Sequence, residues 1–373
     1  MAKTDAHISL RELNRATLAR QLLLERAAMT PVAAVEQLIG MQAQEARPPF
    51  IGLWSRLQDG RREEMIRAID ERLLVRATLM RGTIHLFSAA DYRAFRPAIQ
   101  PVLDRAISVL GSRSDGLDVD SVLPAANALL AGNPLPFNDI RDRLQAQFPD
   151  MNDRALGYTV RMLIPLVVIP AEHRWGYLAN APFGLAREWI GHIDPPEQAL
   201  QELIRRYLAG FGPATVADAQ TWFGMSGLKP TFEALRPELV IFKGERSKVY
   251  FDLPQAPRPP ADTPAPVRFL PDFDNLLLSH GDRTRVIADD HRRIVYQKGN
   301  LRLLPTFLVD GVVAGMWRSE RKRKDATLTI TPFAPLSPDT QRALVDEGEG
   351  LIRFIEEDAA THAVIFAEPL SGR

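Results

Sequence analysis

At 373 residues the chain exceeds what one hydrophobic core usually fills, so two to four compact units are expected. Hydrophobic residues at 46% and charged residues at 25% exclude a disordered protein, and 46 basic against 46 acidic residues exclude a uniformly basic binder while leaving room for a basic face. The lack of cysteine excludes disulfides, thiolate-bound metals and thiol nucleophiles; with no secretory-type start and no long apolar run, a soluble cytoplasmic protein without membrane contact is expected.

The first predicted helix runs from Ser9, a good N-cap, to Arg26, with Leu10, Leu13, Leu18, Leu22 and Leu23 near helical spacing. Pro31 opens a second helix through Ile39, and Arg61–Arg72 forms a third. The β-rich stretch Leu73–Phe87 then reads as a hairpin turning at Arg81-Gly82. The same order returns: helices at Val119–Ala131, Asn138–Gln147 and Asn152–Ile164, then LVVIPAE and WGYLAN as strands around His173-Arg174. A third round has helices at Glu197–Ala209, Thr215–Phe223 and Leu228–Leu235, then a hairpin turning at Lys243–Glu245.

Three rounds of helices followed by a hairpin predict three tandem winged-helix units, residues 1–115, 116–194 and 195–254. A Pro-rich connector, Leu253–Pro266, separates them from the remainder. There RVIA, RIVYQ, LRLLPTFLVDGVVAGMWR and TLTITPF read as strands of a small antiparallel sheet or barrel, closed by a helix over Ser337–Asp358 and a strand, HAVIFA. The expected class is α+β: three winged helices, then a β-barrel-like element over 255–373. The alternative is an unrelated α+β enzyme with scattered hairpins.

Winged helices commonly bind duplex DNA through a helix in a groove and a wing on the backbone. Charge is uneven along the chain: residues 1–110 carry 16 basic and 12 acidic side chains, 280–325 carry 11 and 6, and 331–373 carry 3 and 8. That segregation suits a DNA-binding face on a neutral protein. Its sharpest run, Arg318, Arg321, Lys322, Arg323 and Lys324 beside Trp317, is expected to touch DNA. A second feature is Gln42 and Gln44, flanking Ala43 before Pro48-Pro49. On a helix the two amides would point nearly opposite ways; in an irregular turn both could serve one small site.

The GMQAQ context of Gln42-Ala43-Gln44, together with RATLMRGTIHL (Arg76–Leu86), FGPATVADAQTWFG (Phe211–Gly224), FDNLLLSHGDRTRVI (Phe273–Ile287) and TFLVDGVVAGMWR (Thr306–Arg318), resembles the AlkZ/YcaQ family of bacterial DNA glycosylases. These act on alkylated bases and, in some members, on interstrand crosslinks. The resemblance covers almost the whole chain and implies three tandem winged helices with a C-terminal β-barrel-like element. It also implies that the Gln-apolar-Gln motif, the form of the AlkZ branch, carries the chemistry through Gln42 and Gln44.

That chemistry is consistent with two amides. An N7-alkylated guanine is cationic and already a good leaving group, so the reaction needs a water held near C1′ and oriented dipoles more than a strong acid. Each Gln offers a carbonyl acceptor for water and an NH2 donor for DNA. No lysine lies near the motif to supply a lyase nucleophile, so an abasic product is expected. Glu45 is expected to face elsewhere. Arg76, Arg81 and His85, in the same hairpin, are candidate phosphate contacts, and His173-Arg174 could touch backbone from a second wing.

Asp272, Asp274, His280, Asp282, Asp289, Asp290 and His291 match no metal-ligand spacing and read as acidic turns; no metal and no cofactor is expected. The expected partner is double-stranded DNA, bound by a monomer without an obligate protein partner. Competing readings are a non-catalytic transcriptional regulator and a protein-interaction scaffold.

Overall fold

The computed structural model describes residues 4–297, 299 and 301–370. After strand β1 (Thr4–His7), helix α1 (Leu10–Arg20) starts with a capping box: the Ser9 hydroxyl meets the Glu12 N–H while the Glu12 carboxylate accepts from the Ser9 N–H. Helix α2 (Pro31–Gln37), strand β2 (Met41–Gln42), and helices α3 (Arg47–Trp54) and α4 (Arg62–Asp70) lead into the antiparallel pair β3 (Leu74–Thr78) and β4 (Ile84–Ser88). A long helix α5 (Ala89–Ala106) follows. The second round comprises α6 (Val119–Leu130), α7 (Phe137–Gln147), α8 (Asp153–Leu163), β5 (Leu166–Val168), β6 (Phe183–Leu185) and a short α9 (Ala186–Trp189). The third comprises α10 (Ala199–Phe211), α11 (Val216–Phe223), α12 (Lys229–Leu235), β7 (Val240–Lys243) and β8 (Val249–Asp252).

Beyond the connector come β9 (Arg268–Leu270), α13 (Asn275–Leu278), α14 (Asp289–Val295), β10 (Tyr296–Gln297), β11 (Arg302–Leu303), β12 (Thr306–Val309), β13 (Val312–Lys322), β14 (Asp325–Pro332), α15 (Pro338–Ile355) and β15 (Thr361–Phe366). The expected order of helices and hairpins is present, in a mixed α/β fold. The barrel is not. Its strands form an open sheet in the order β15-β14-β13-β12-β9, whose Phe269, Phe307, Trp317, Leu328 and Ile330 pack against Leu344, Leu351, Ile352 and Ile355 of α15. A helix on one face removes the need for closure.

Several local expectations give way. Pro48-Pro49 begins α3 instead of breaking the chain, because the first turn of a helix has no use for the missing N–H. WGYLAN is irregular, and β6 forms at Phe183–Leu185. RVIA makes no strand, and most of RIVYQ lies in α14. Neighbouring rounds also share sheets: β2-β4-β3-β5-β6 runs from the first into the second, and β1 pairs in parallel with β7 of the third.

The connector is no spacer. Arg11, Arg15 and Arg20 of α1 donate to the carbonyls of Ala261, Thr263 and Pro257, so it straps across that helix. The same face of α1 reaches both flanking bodies. Arg20 pairs with Asp252 at 2.6 Å, both side chains fully enclosed, and Gln21 donates to Gly210. Asn14 donates to Arg285 and Gly311, and Arg15 pairs with Asp310. Desolvation roughly cancels the attraction in such enclosed pairs, so they fix geometry more than they add stability.

Candidate functional site

Gln42 ends an edge strand, and Gln44 lies in the bend just beyond it. Gly40, at φ +76°, turns the chain from α2 into β2, and a Cβ there would fall 2.0 Å from the Phe87 ring, so no other residue fits. The Asn275 amide clamps this turn by donating to Leu38 and Gly40. β2 pairs antiparallel with β4, Gln42 opposite His85, and the Ala43 N–H extends the ladder to the Ile84 carbonyl at 2.7 Å. The next rung is supplied by a side chain: the Ile84 N–H donates to Gln44 Oε1 at 2.8 Å. Met41 and Ala43 enter the core, while the Gln42 and Gln44 side chains each reach the β3–β4 hairpin, at Arg81 and at the Ile84 N–H. The motif is thus no helix end: it straddles the last residue of a strand and an irregular bend.

Both carbonyl oxygens are held by donors. Arg81 Nη2 donates to Gln42 Oε1 at 3.0 Å, and since Arg81 and the Ile84 N–H can only donate, the oxygen of each amide is assigned. Each oxygen keeps a second lone pair for a water. Gln42 is 7% exposed and Gln44 is open to solvent.

Arg81 is itself constrained. It sits in the turn between β3 and β4 at φ 56°, a left-handed conformation that costs a non-glycine residue about 1 kcal/mol. Its guanidinium lies 4.6 Å over the Trp222 ring, donates to the Trp222 carbonyl, and packs its chain against Gly224, where a Cβ would come within 3.1 Å. Nη2 also meets His85 Nε2 at 3.3 Å. His85 is fully buried, and its Nδ1 donates to the Thr83 carbonyl, which leaves Nε2 bare to accept from Arg81. Burial, then the Arg81 charge, hold the imidazole neutral, its pKa down to about 3. Burial and the nearby charge of Arg283 lower Arg81 to about 9.

The expected phosphate contacts therefore sort differently. Arg76 is buried; Nε and Nη2 donate to the carbonyls of Ala43 and Gln44, each at 2.7 Å, so it fixes the strand that carries the glutamines. His85 cannot reach phosphate from the core and supports Arg81. Arg321 is engaged by Glu356 at 3.3 Å and by Asp358, carboxylates of the acidic C-terminal segment, so basic and acidic stretches meet here instead of segregating. Lys322 lies 3.4 Å from Glu320. Arg318, Lys322, Arg323 and Lys324 are exposed, the last three at the tip of the β13–β14 hairpin. Arg174 also turns inward, to Glu356 and the Ile355 carbonyl.

Glu45 is exposed and meets Arg302 at 3.3 Å. The suspected acidic cluster disperses: Asp274 pairs with the enclosed Arg56 at 2.9 Å, Asp282 with Lys248, and Asp289 and Asp290 open α14. Among the described residues no helix is long and apolar enough to cross a membrane. The supporting residues Asn275, Trp222 and Arg283 were not singled out from sequence. Their only signal was membership of the FDNLLLSHGDRTRVI and FGPATVADAQTWFG stretches.

Helix-rich units joined to an α15-backed open sheet define a recognisable class of fold. It is shared with the solved Streptomyces sahachiroi DNA glycosylase AlkZ, at TM-score 0.76 and 22% identity over 96% of this chain and 100% of that one. In sequence, the interstrand DNA cross-link repair glycosylase of Streptomyces sahachiroi is 26% identical over 365 residues, 91% of this chain and 92% of that protein. The family model of AlkZ-like DNA glycosylases matches residues 35–354, and the chain belongs to that family.

Proposed function

We propose that this chain is a DNA glycosylase that hydrolyses the N-glycosidic bond of cationic N7- or N3-alkylated purines in duplex DNA, bulky adducts and interstrand crosslinks included. Gln42 and Gln44 hold the attacking water. The observation that carries this reading is the pair of amides two residues apart where an edge strand ends in a bend, each oxygen oriented by a protein donor and each with a lone pair to spare. Family membership and the crosslink-repair relative support the substrate class.

The water needs position more than basicity, because the departing base already carries positive charge. A neutral amide suits this: it orders a water near C1′ of an activated nucleotide and is too weak a base to threaten an intact one. The NH2 groups are left to donate to DNA. The three helix-and-hairpin rounds act as tandem winged helices on the duplex, with the β13–β14 tip on the backbone. With no lysine between Thr4 and Leu228, the product is an abasic site.

The test is base release from duplex DNA carrying N7-methylguanine or a bulky N7 adduct. Release by the native protein, lost in both Gln42→Ala and Gln44→Ala, is expected. Release that survives both substitutions sinks the site; salt-sensitive binding without release of either base points to a regulator.

A further inference from the structure

The site contains a charge imbalance that excision alone does not explain. Arg283 is half-buried, and its guanidinium lies 4.7 Å from the Tyr296 ring centroid, with Arg292 over the same ring at 5.7 Å. Tyr296 is pinned by donating its hydroxyl to the Leu277 carbonyl. Arg283 Nε is buried with no hydrogen-bond partner, and among the described residues neither Arg283 nor Arg292 meets a carboxylate. Asp282, next in sequence, is committed to Lys248 and Thr284. The Arg283 charge reaches Arg81, whose own guanidinium meets carbonyls, an imidazole and a ring but no anion.

A buried guanidinium without a counter-ion is costly, and one beside a sugar that becomes an oxocarbenium ion opposes the reaction. Both problems vanish if the substrate supplies the anion. A phosphodiester carries one charge on two oxygens, which a guanidinium fork matches.

We propose that Arg283, with Arg292 on the same tyrosine ring, seats one backbone phosphodiester of the strand addressed by Gln42. The identity of that strand rests on the glycosylase reading; the anion does not. The seated phosphate cancels the excess positive charge around Arg81 and fixes the distance from backbone to Gln42. In DNA bound without that phosphate in place, the same charge disfavours an oxocarbenium ion, so the arrangement ties reactivity to a correctly seated strand.

The experiment compares native protein with Arg283→Gln, Arg283→Lys and Arg292→Gln. Duplex affinity is measured across salt concentrations, on plain DNA and on DNA whose register is fixed by a non-cleavable 2′-fluoro N7-methylguanosine with single methylphosphonates. Arg283→Gln is expected to reduce the salt slope by about 0.9, roughly an eightfold affinity loss at 0.1 M relative to 1 M salt. One methylphosphonate position that weakens the native protein should leave Arg283→Gln indifferent, and Arg283→Lys should restore most of the slope. Arg292→Gln should shift the same position more weakly, which keeps the test open if Arg283→Gln fails to fold. An unchanged slope and unchanged methylphosphonate pattern overturn the proposal, as does a lowered melting temperature with native salt dependence, which would make Arg283 a packing residue. If Arg283→Gln loses the slope while native protein releases no alkylated base, the phosphate seat stands and the glycosylase reading falls.

Discussion

Replacing Arg76 with Met tests whether this arginine holds the glutamine strand or touches DNA. The side chain is buried, and its two donors meet the carbonyls of Ala43 and Gln44 at 2.7 Å. Ala43 is 1% exposed, so its carbonyl would lose a charged hydrogen bond that water cannot readily replace, worth about 1.5–3 kcal/mol. The Gln44 carbonyl is at an exposed residue, where water recovers most of the loss, leaving about 0.5 kcal/mol. Burial lowers the Arg76 pKa, so removing the charge relieves some desolvation, and a net loss of about 2 kcal/mol is expected. For a chain of this size that is about 2–3 °C in melting temperature. Ala43 lies between the two catalytic candidates, and a displacement of about 1 Å should slow single-turnover base release about 100-fold. Duplex affinity and its salt slope should stay native, since the guanidinium is not at the surface. A native melting temperature with base release within about twofold would refute the reasoning, and so would a reduced salt slope, which would restore the phosphate role.

Gln44→Ala removes both the proposed water acceptor and the side-chain rung on Ile84; excision should vanish in a base-release assay while duplex Kd changes less than about threefold. Lys322→Ala/Arg323→Ala/Lys324→Ala at the hairpin tip should reduce the salt slope of duplex binding by about 2–3, whereas Arg321→Ala, already engaged by Glu356 and Asp358, should leave it nearly native. His85, held to about 3 in the fold, ionises near 6.5 once unfolded, so its contribution is complete above pH 6.5 and is lost as pH falls toward 3. At pH 5 that is about 2 kcal/mol, and in urea unfolding His85→Gln should narrow the stability difference between pH 7 and pH 5 by that amount. Asp91, raised to about 6 chiefly by burial, shifts stability the opposite way over pH 4–6 in both proteins and cancels from the comparison.

Much of the local structure was legible because it rests on local signals. Ser9, Thr215 and Ser337 cap helices as their side chains suggest, and Arg81-Gly82 turns a hairpin with both residues at positive φ, which Gly82 takes freely and Arg81 at a cost. Gln42 and Gln44 stood out as polar residues beside a run of apolar ones, but their convergence on the β3–β4 hairpin was not legible. It depends on β2 pairing with β4, a contact across about forty residues that no local periodicity encodes. The burial of Arg76 and His85 was not legible for a related reason: whether a cation faces solvent or a buried carbonyl is set by packing, and a strand of five consecutive buried residues such as β3 shows no alternation to reveal it. The open sheet was read as a barrel because strand count does not disclose that α15 covers one face.

The strap and the enclosed pairs around α1 bear on how the chain reaches its native state. Arg20 finds Asp252 across 232 positions, Asn14 finds Arg285 across 271, and Arg15 finds Asp310 across 295. During synthesis α1 emerges well over two hundred residues before the acceptors its cations require, so the contacts it makes form only after residues 252–311 arrive. Refolding should be slow and governed by that long loop closure.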